Sequence, residues 1–276
     1  MDTKLSHWCD MNKENVNIAI IGGTGVYDSG LLKDTKQIKI ATPYGTPSDQ
    51  ITIGTYGETK IAFLPRHGSS HYLPPHKVPY RANIWALKQL GVTRIIAPSA
   101  VGSLRKDIPP GDIVITDQFI DFTKSRDYTF YDGGQVYHVP LANPFCSELR
   151  KITITAAKNL KIKFHEKGCN VCIEGPRYST KAESLFFKDV MRADTIGMTL
   201  APECVLANEL EICYLNIAAS TDFDAWHEEA VNATIVGKVM AENVKIIRKL
   251  ITEIIPLIPR DRSQCNCGNV LTHAGH

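Results

Sequence analysis

Two carboxylates stand at the end of an apolar run in the stretch CYLNIAASTDFDAW, residues 213–226. If this run is a strand, Asp222 and Asp224 project to the same side. Two carboxylates at such a short distance repel each other, so the pKa of one rises above its free value of ~3.9. A protonated carboxyl can act as a general acid, while an ionised one accepts a hydrogen bond. A helix N-cap would explain either residue alone, but the pair favours catalysis.

A guanidinium and an imidazole follow a second apolar run, FLPRHG. Arg66 and His67 emerge directly from apolar residues, and this combination suits a phosphate or a carboxylate. The alternative is a solvated loop that happens to be basic. His71 and His76 come soon after, but no acidic or cysteine partner stands at ligand spacing, so the sequence predicts no metal.

A glycine-rich turn follows the apolar segment NIAII, as IAIIGGTGVYD. Such turns offer backbone N–H groups to phosphate, and Thr24 adds a hydroxyl. The dinucleotide fingerprint fails because Asp28 stands where its third glycine belongs, and the ATP-binding P-loop motif is also missing. The loop therefore suits a small anion, although a plain tight turn explains it equally well.

Strands alternate with helices around these three stretches. Apolar runs predict strands at NIAII, at a hairpin of Ile51–Tyr56 with Ile61–Leu64 and at ICYLNIAA, and RIIAPSAVGSL predicts a short strand that runs into a small-residue loop. Helical spacing predicts helices in YRANIWALKQ, Glu148–Leu160, Thr180–Val190 with a Thr180/Glu183 capping box, and 231–254. With no linker or repeat, we expect one α/β domain over residues 1–276, with a central mixed β-sheet flanked by helices. Its ordered core covers about 17–258, between an N-terminal extension and a loose C-terminal Cys-x-Cys tail.

Composition excludes several classes of partner. The net charge is +2, from 31 basic and 29 acidic residues, so we expect neither nucleic acid nor an acidic membrane as a partner. The first residues lack the apolar core of a signal peptide, and no apolar stretch approaches the ~20 residues that span a bilayer. We expect a cytoplasmic protein.

Eight cysteines are a high number for such a protein. Cys169 with Cys172 and Cys265 with Cys267 form two close pairs, but these lie too far apart in the sequence to favour zinc. Cys204 and Cys213 lie in apolar surroundings that are typical of small buried side chains. One or two disulfides remain open.

Several motifs together resemble one family. IAIIGGTGVYD, PRHGSSH, YRANIWALK, SAVGSLR, PGDIVITDQFID, IEGPRYSTKAES, GMTLAPE and STDFDAW occur in the order found in trimeric-type purine nucleoside phosphorylases. The resemblance covers residues 17–255 and is strongest to the methylthioadenosine phosphorylase branch. It implies that fold, and phosphorolysis of 5′-methylthioadenosine to adenine and 5-methylthioribose 1-phosphate. It also implies a homotrimer, or a homohexamer of two trimers, with no metal or organic cofactor and with phosphate as co-substrate.

The resemblance also assigns site residues. The catalytic residues would be Asp222, Asp224, Arg66 and His67. Asp222 would donate to purine N7, and Asp224 would accept from the 6-amino group. The phosphate-binding residues would be Thr24, Arg66, His67, Ser99 and Thr199. The base and ribose would be bound by Ala100, Val101 and Gly102 in a small-residue turn and by Tyr178, Ile196 and Met198. The methylthio end would be surrounded by His71, Ala233, Val236 and a neighbouring subunit's His138. Some archaeal members suggest two disulfides here, Cys146–Cys213 and Cys265–Cys267.

Three other functions compete with this interpretation. A broader purine nucleoside phosphorylase would also accept adenosine, inosine or guanosine. A nucleotide-binding protein could retain the fold without activity, although all four catalytic candidates are intact. A dehydrogenase is the weakest alternative because the glycine spacing fails.

Overall fold

The computed structural model describes residues 14–23, 26, 32–228, 233–272 and 274–275, without the side chains of residues 233 and 235. The strands of this described part are β1 (Ile18–Gly22), β2 (Lys33–Ile38), β3 (Ile51–Tyr56), β4 (Thr59–Pro65), β5 (Arg94–Ser103), β6 (Ile113–Ile115), β7 (Gln118–Phe122), β8 (Phe164–His165), β9 (Cys169–Ile173), β10 (Thr195–Gly197) and β11 (Cys213–Asp222). Its α-helices are α1 (Tyr80–Gln89), α2 (Ser147–Asn159), α3 (Lys181–Leu185), α4 (Leu200–Glu209) and α5 (Ala233–Ile254).

All these strands form one mixed sheet. Its main path runs β2-β3-β4-β1-β5-β10-β9-β7, and β11, β6 and β8 branch from β5. Strands β4, β1, β5 and β11 are mutually parallel neighbours. Their carboxyl ends therefore meet at one edge of the sheet, where ligands of such folds commonly bind.

Helices cover both faces of the sheet. Helices α1 and α4 pack against one face, through side chains such as Trp85 and Leu206. Helices α2 and α5 pack against the other, through Leu149 and Ile251. Because strand residues alternate, Ile21 of β1 belongs to the first core and Ile20 to the second. This arrangement confirms the α/β fold that the sequence predicts.

The predicted elements are confirmed where their patterns are long. The hairpin of β3 with β4 is antiparallel, and α1 occupies the predicted helix. The capping box before α3 makes both of its hydrogen bonds, from Glu183 N to Thr180 Oγ1 at 3.2 Å and from Thr180 N to Glu183 Oε2 at 2.8 Å. The α-helix is shorter than predicted, however, because Phe186–Val190 continue it as a π-helical turn.

The C-terminal tail lies against the domain, whereas its polar sequence favoured a loose arm. The guanidinium of Arg94 donates to the carbonyl oxygen of Asp261, and that of Arg262 to the carbonyl oxygen of Glu211. The backbone N–H of Leu271 donates to Glu211 Oε1 at 3.3 Å. Among the described helices, none combines the length and apolar character needed to cross a membrane.

Candidate active site

A cavity of about 690 Å³ opens at the carboxyl ends of the four parallel strands. Its size is that of a site for a small organic ligand. The predicted residues that line it are Arg66, His67, His71, Ser99, Ala100, Val101, Gly102, Tyr178, Ile196, Met198, Thr199, Asp222, Asp224 and Val236. The fold thus brings together residues that the sequence places as far apart as β4 and α5.

Three predicted residues are not part of this group. Thr24 lies outside the described residues, as does the side chain of Ala233. His138 is described but does not line the cavity of its own chain. Its backbone N–H donates to the carbonyl oxygen of Ala274 in the C-terminal tail, at 2.7 Å. Its expected arrival at a neighbouring subunit's site stays a prediction.

Arg66 lines the cavity, but most of the N–H groups of its guanidinium are used within the protein. Nε and Nη2 donate to the two carboxylate oxygens of Glu203 at 2.7 and 2.8 Å, and the two side chains are only 3% and 0% exposed. Nη1 donates to the carbonyl of Pro98 and Nη2 to that of Ile21. Of the five N–H groups of an arginine, one is left on Nη1. The fork of Arg66 thus binds a carboxylate of the chain itself, and the phosphate role that the family resemblance assigns to this residue stays a prediction.

Glu203 holds this arrangement from the first turn of α4. It also accepts a 2.7 Å hydrogen bond from the hydroxyl of Tyr214 on β11. Burial works against the charge of Arg66, but Glu203 outweighs it and raises the pKa of the guanidinium. Sequence analysis missed Glu203, although a lone acidic residue in the apolar stretch TLAPECVLA is a signal of a buried, paired charge.

His67 is a neutral imidazole at neutral pH. Burial, assisted by the charge of Arg66, lowers its pKa to about 4. Its Nδ1 lies 2.8 Å from the carbonyl oxygen of Leu73, and since a carbonyl can only accept, Nδ1 carries the proton. The ring stacks on that of His71 with centroids 4.7 Å apart. Nε2 is therefore a hydrogen-bond acceptor.

Ser99 on β5 is oriented by a buried amide on the adjacent strand β11. The side-chain nitrogen Nδ2 of Asn216 donates to the carbonyl of Ala97 at 2.8 Å and to Ser99 Oγ at 3.1 Å. Its oxygen accepts from Thr116 Oγ1 at 2.6 Å, which fixes the orientation of the amide. Ser99 is thus an acceptor toward Asn216, and its proton is free to be donated into the cavity. Asn216 is a second residue that sequence analysis missed, and a polar amide within an apolar strand was its signal.

The two aspartates lie side by side at the end of β11. Asp222 Oδ1 accepts from Thr221 Oγ1 at 2.7 Å, and Oδ2 accepts from the backbone N–H of Asp224 at 3.0 Å. Burial raises the pKa of both carboxyls. For Asp224 the charge of Asp222 adds to this rise, while the hydroxyl of Ser184 opposes it. Desolvation, rather than the mutual repulsion expected from the sequence, is thus the main cause.

Asp224 has a polar atom left over for a ligand. Its Oδ2 is buried and has no hydrogen bond within the described residues, although the hydroxyls of Ser184 and Ser179 are near enough to lower the pKa of the carboxyl. An unpaired buried acceptor is unfavourable, and a ligand N–H group would satisfy it. The residue itself has φ of 50°, and it begins a 3-10 turn without capping that turn with its side chain.

Gly102 allows both aspartates to approach β5. A Cβ atom there would lie 3.1 Å from Asp222 Oδ2 and 3.2 Å from Asp224 Cβ. Gly102 pairs with Asp222 where the register of β5 and β11 shifts. Residues 100–102 therefore belong to a strand, and the predicted small-residue turn is wrong.

Comparison with known proteins agrees with this geometry. The model of the phosphorylase superfamily matches residues 17–256. The chain belongs to this superfamily. An S-methyl-5′-thioadenosine phosphorylase of Nitrosopumilus maritimus is 53% identical over 95% of this chain and 99% of its own. A methylthioadenosine phosphorylase from an antarctic soil metagenomic library is 45% identical with a TM-score of 0.89, over 95% and 92% of the two chains. The Schistosoma mansoni methylthioadenosine phosphorylase in complex with adenine is 40% identical with a TM-score of 0.85, over 90% and 93%.

Within this superfamily fold the cavity has a polar and an apolar part. Hydroxyl and imidazole groups come from Ser99, Thr199 and His67. The apolar part includes Val236 and Met240 of α5, and Met240 was not predicted. The lining therefore offers polar groups that suit an anion and apolar groups that suit an apolar substituent of a ligand.

Proposed function

We propose that the protein catalyses phosphate-dependent cleavage of 5′-methylthioadenosine to adenine and 5-methylthioribose 1-phosphate. It would thus be a pentosyltransferase, with phosphate as co-substrate and without a metal or organic cofactor in the reaction. The observation that carries the proposal is the placement of Asp222 and Asp224 in the same cavity as the hydroxyl donors Ser99 and Thr199. The relatives named above, which are phosphorylases of methylthioadenosine, support it.

In this proposal Asp222 assists departure of the purine. Breaking the bond between ribose C1′ and purine N9 leaves the bonding electrons on the base. A proton at N7 neutralises that charge as it develops. The raised pKa of Asp222 keeps more of the carboxyl protonated near neutral pH than that of a free aspartate. Asp222 transfers its proton to N7 as the C1′–N9 bond breaks and a phosphate oxygen bonds to C1′. Adenine leaves as the neutral base, the sugar carries the phosphate, and the Asp222 carboxylate regains a proton from water.

Phosphate binding rests on hydrogen bonds more than on net charge, because Glu203 neutralises Arg66. The O–H of Ser99 donates a hydrogen bond to phosphate, and so does the one remaining N–H group of Arg66. Neutral His67 accepts from the hydroxyl of a monohydrogen phosphate through Nε2. Thr199, at the N-cap of α4, adds its hydroxyl. These groups position the nucleophile rather than activate it.

Asp224 is the basis of base selection in this proposal. Its unpaired Oδ2 suits the 6-amino group of adenine. A 6-oxo group would place an acceptor against an acceptor, and polar mismatches of this kind reduce kcat/KM by about 10⁴-fold or more in favourable cases. Val236 and Met240 would favour a methylthio group over a hydroxyl at the 5′ end.

We also propose that the chain works as a homotrimer, alone or paired into a homohexamer. His138 belongs to a segment that exposes Tyr128 and Val136, with 61% and 51% of their surfaces accessible. Contiguous apolar patches mark protein contacts, and the family resemblance, rather than these two side chains alone, is the basis of the trimer proposal. The cytoplasmic location expected from the sequence stays a prediction.

Phosphorolysis by the purified protein tests the proposed function. Methylthioadenosine, adenosine, inosine and guanosine are compared with and without phosphate. We expect phosphate-dependent release of adenine, fastest from methylthioadenosine. Faster cleavage of inosine or guanosine would favour the broader nucleoside phosphorylase. No turnover of any of the four, together with tight binding of adenine, would favour the nucleotide-binding protein.

A further inference from the structure

Four cysteine side chains meet at the edge of the sheet opposite the cavity. Cys213 begins β11, Cys146 immediately precedes α2, and Cys265 and Cys267 come from the C-terminal tail. All four Sγ atoms lie within 4.8 Å of one another. Cys213 and Cys146 are 0% and 1% exposed. Tertiary structure thus joins three segments that are far apart in the sequence.

The spacing of the sulfurs is close to that of a tetrahedral metal site. Zinc–sulfur bonds of about 2.3 Å place the sulfurs of a tetrahedron about 3.8 Å apart. The Sγ atoms of Cys213 and Cys265 are 3.5 Å apart, a non-bonded contact. These two residues belong to different pairs of the disulfides that the family resemblance implies. One ion at the centre of the group would contact all four sulfurs.

One buried guanidinium contacts the cluster. Four thiolates around a divalent ion carry a net charge of −2, which needs compensation when it is buried. Arg94 is 1% exposed, and its Nη1 lies 3.5 Å from Cys213 Sγ and 2.8 Å from Glu148 Oε2, so the guanidinium is shared between the sulfur and a carboxylate. The guanidinium of Arg262 lies against Gly268, the residue after Cys267, where a Cβ atom would be 2.7 Å from Nη2. Glycine at this position therefore lets Arg262 pack against the tail next to Cys267.

We propose that Cys146, Cys213, Cys265 and Cys267 bind one zinc ion as a closed, structural tetrathiolate site. Four protein ligands leave no open position for a substrate, as in structural zinc sites. The ion ties the C-terminal tail to the starts of β11 and α2, and its binding contributes directly to folding free energy. Sequence spacing disfavoured zinc because it cannot show that the tail folds back. The proposal is independent of the phosphorolysis reaction.

Metal and thiol content of the intact protein test this site. The protein is purified under reducing conditions with added zinc, passed through a desalting column, and analysed by plasma mass spectrometry. We expect about one zinc per chain. The thiols are counted on a second preparation that is never exposed to reductant. In denaturant they should number eight, the full cysteine content. Four thiols, with no zinc taken up even after reduction, would overturn the proposal in favour of two disulfides. Eight thiols without zinc would overturn it as well.

Two variants complete the test. Cys267→Ser removes one ligand and should lower the retained zinc at least about tenfold, as loss of a group that orients or binds a metal does. Cys169→Ser is the matched control, since Cys169 is partly buried on β9 and outside the cluster. Cobalt replacing zinc should give intense sulfur-to-metal charge-transfer absorption in the parent and in Cys169→Ser. Equal zinc retention by the two variants would contradict the proposed ligand set.

Discussion

The side-chain amide of Asn216 donates a 3.1 Å hydrogen bond to the hydroxyl of Ser99 across the adjacent strands β11 and β5. The orientation of this amide is fixed at both ends, by the carbonyl of Ala97 and the hydroxyl of Thr116. Because Ser99 Oγ accepts from Asn216, its O–H is directed toward the cavity as a hydrogen-bond donor. Asn216 does not line that cavity, so we expect it to affect the proposed phosphate binding only through Ser99.

Asn216→Asp should weaken phosphate binding. A carboxylate accepts where the amide donates, so the Ser99 proton turns away from the cavity. Loss of one hydrogen bond to a charged group is worth about 1.5–3 kcal/mol, or roughly a tenfold to hundredfold rise in the KM for phosphate. The KM for the nucleoside should change much less. Steady-state kinetics with each substrate varied in turn measures both.

The control for this variant is Asn243→Asp. Asn243 is equally buried and donates to the carbonyl of Ser220 at 2.9 Å, without contact to Ser99. Asn243→Asp therefore also places a buried carboxylate next to β11. A similar rise of the phosphate KM in both variants would mean that buried charge, rather than the orientation of Ser99, is responsible.

Glu203→Gln should destabilise the fold as well as the site. The substitution leaves the buried guanidinium of Arg66 without its counter-charge, a change that commonly costs about 3–5 kcal/mol. Tyr214→Phe removes only one hydrogen bond to the same carboxylate and should cost about 1–3 kcal/mol. The free energy of unfolding from urea titrations followed by circular dichroism gives both values.

A surface ion pair serves as the comparison. Glu242 and Lys245 form an i,i+3 pair on α5, and both side chains are 70% exposed. Glu242→Gln should change the free energy of unfolding by about 0.5 kcal/mol or less. If Glu203→Gln were equally mild, Arg66 would not depend on Glu203 for its buried charge.

Asp224→Asn should shift base preference toward 6-oxopurines. The amide can donate to a 6-oxo group, while the carboxylate can only accept when ionised. The ratio of kcat/KM for methylthioadenosine to that for inosine should fall by about 100-fold or more. Asp189→Asn, at an exposed surface position, is the control. An unchanged ratio in Asp224→Asn would remove Asp224 from base recognition.

The buried imidazole of His67 makes stability depend on pH. Its pKa is about 4 in the folded protein, below the ordinary value of 6.5. The unfolded chain therefore binds more protons between these two values, and the free energy of unfolding falls as the pH falls from 6.5 to 4. The loss from this one group is about 3 kcal/mol at most.

Urea midpoints measured at several pH values between about 7 and 4 test this linkage. His67→Gln lacks the titrating group, so its stability should fall less over the same interval. Glutamine retains a side-chain N–H for the carbonyl of Leu73. Parallel curves for the parent and the variant would show that His67 is not the group responsible.

Local sequence determined the parts that depend on short-range chemistry. Ile18–Gly22 and α1 follow from apolar runs and helical spacing, and the Thr180/Glu183 cap follows from two residues three positions apart. The aspartate pair was also evident, because neighbouring residues at a strand end must stay close in any fold. The family resemblance supplied most of the remaining site residues, and the cavity contains nearly all of those that are described.

Tertiary structure decided the partners of these groups. Arg66 meets Glu203, 137 positions away, only because α4 packs against the sheet at β11. Ser99 meets Asn216 only because β5 and β11 pair in register. Burial, which no local pattern measures, raises the pKa values of Asp222 and Asp224 and lowers that of His67. The four cysteines converge for the same reason, since contacts between distant segments depend on how strands and tail pack together.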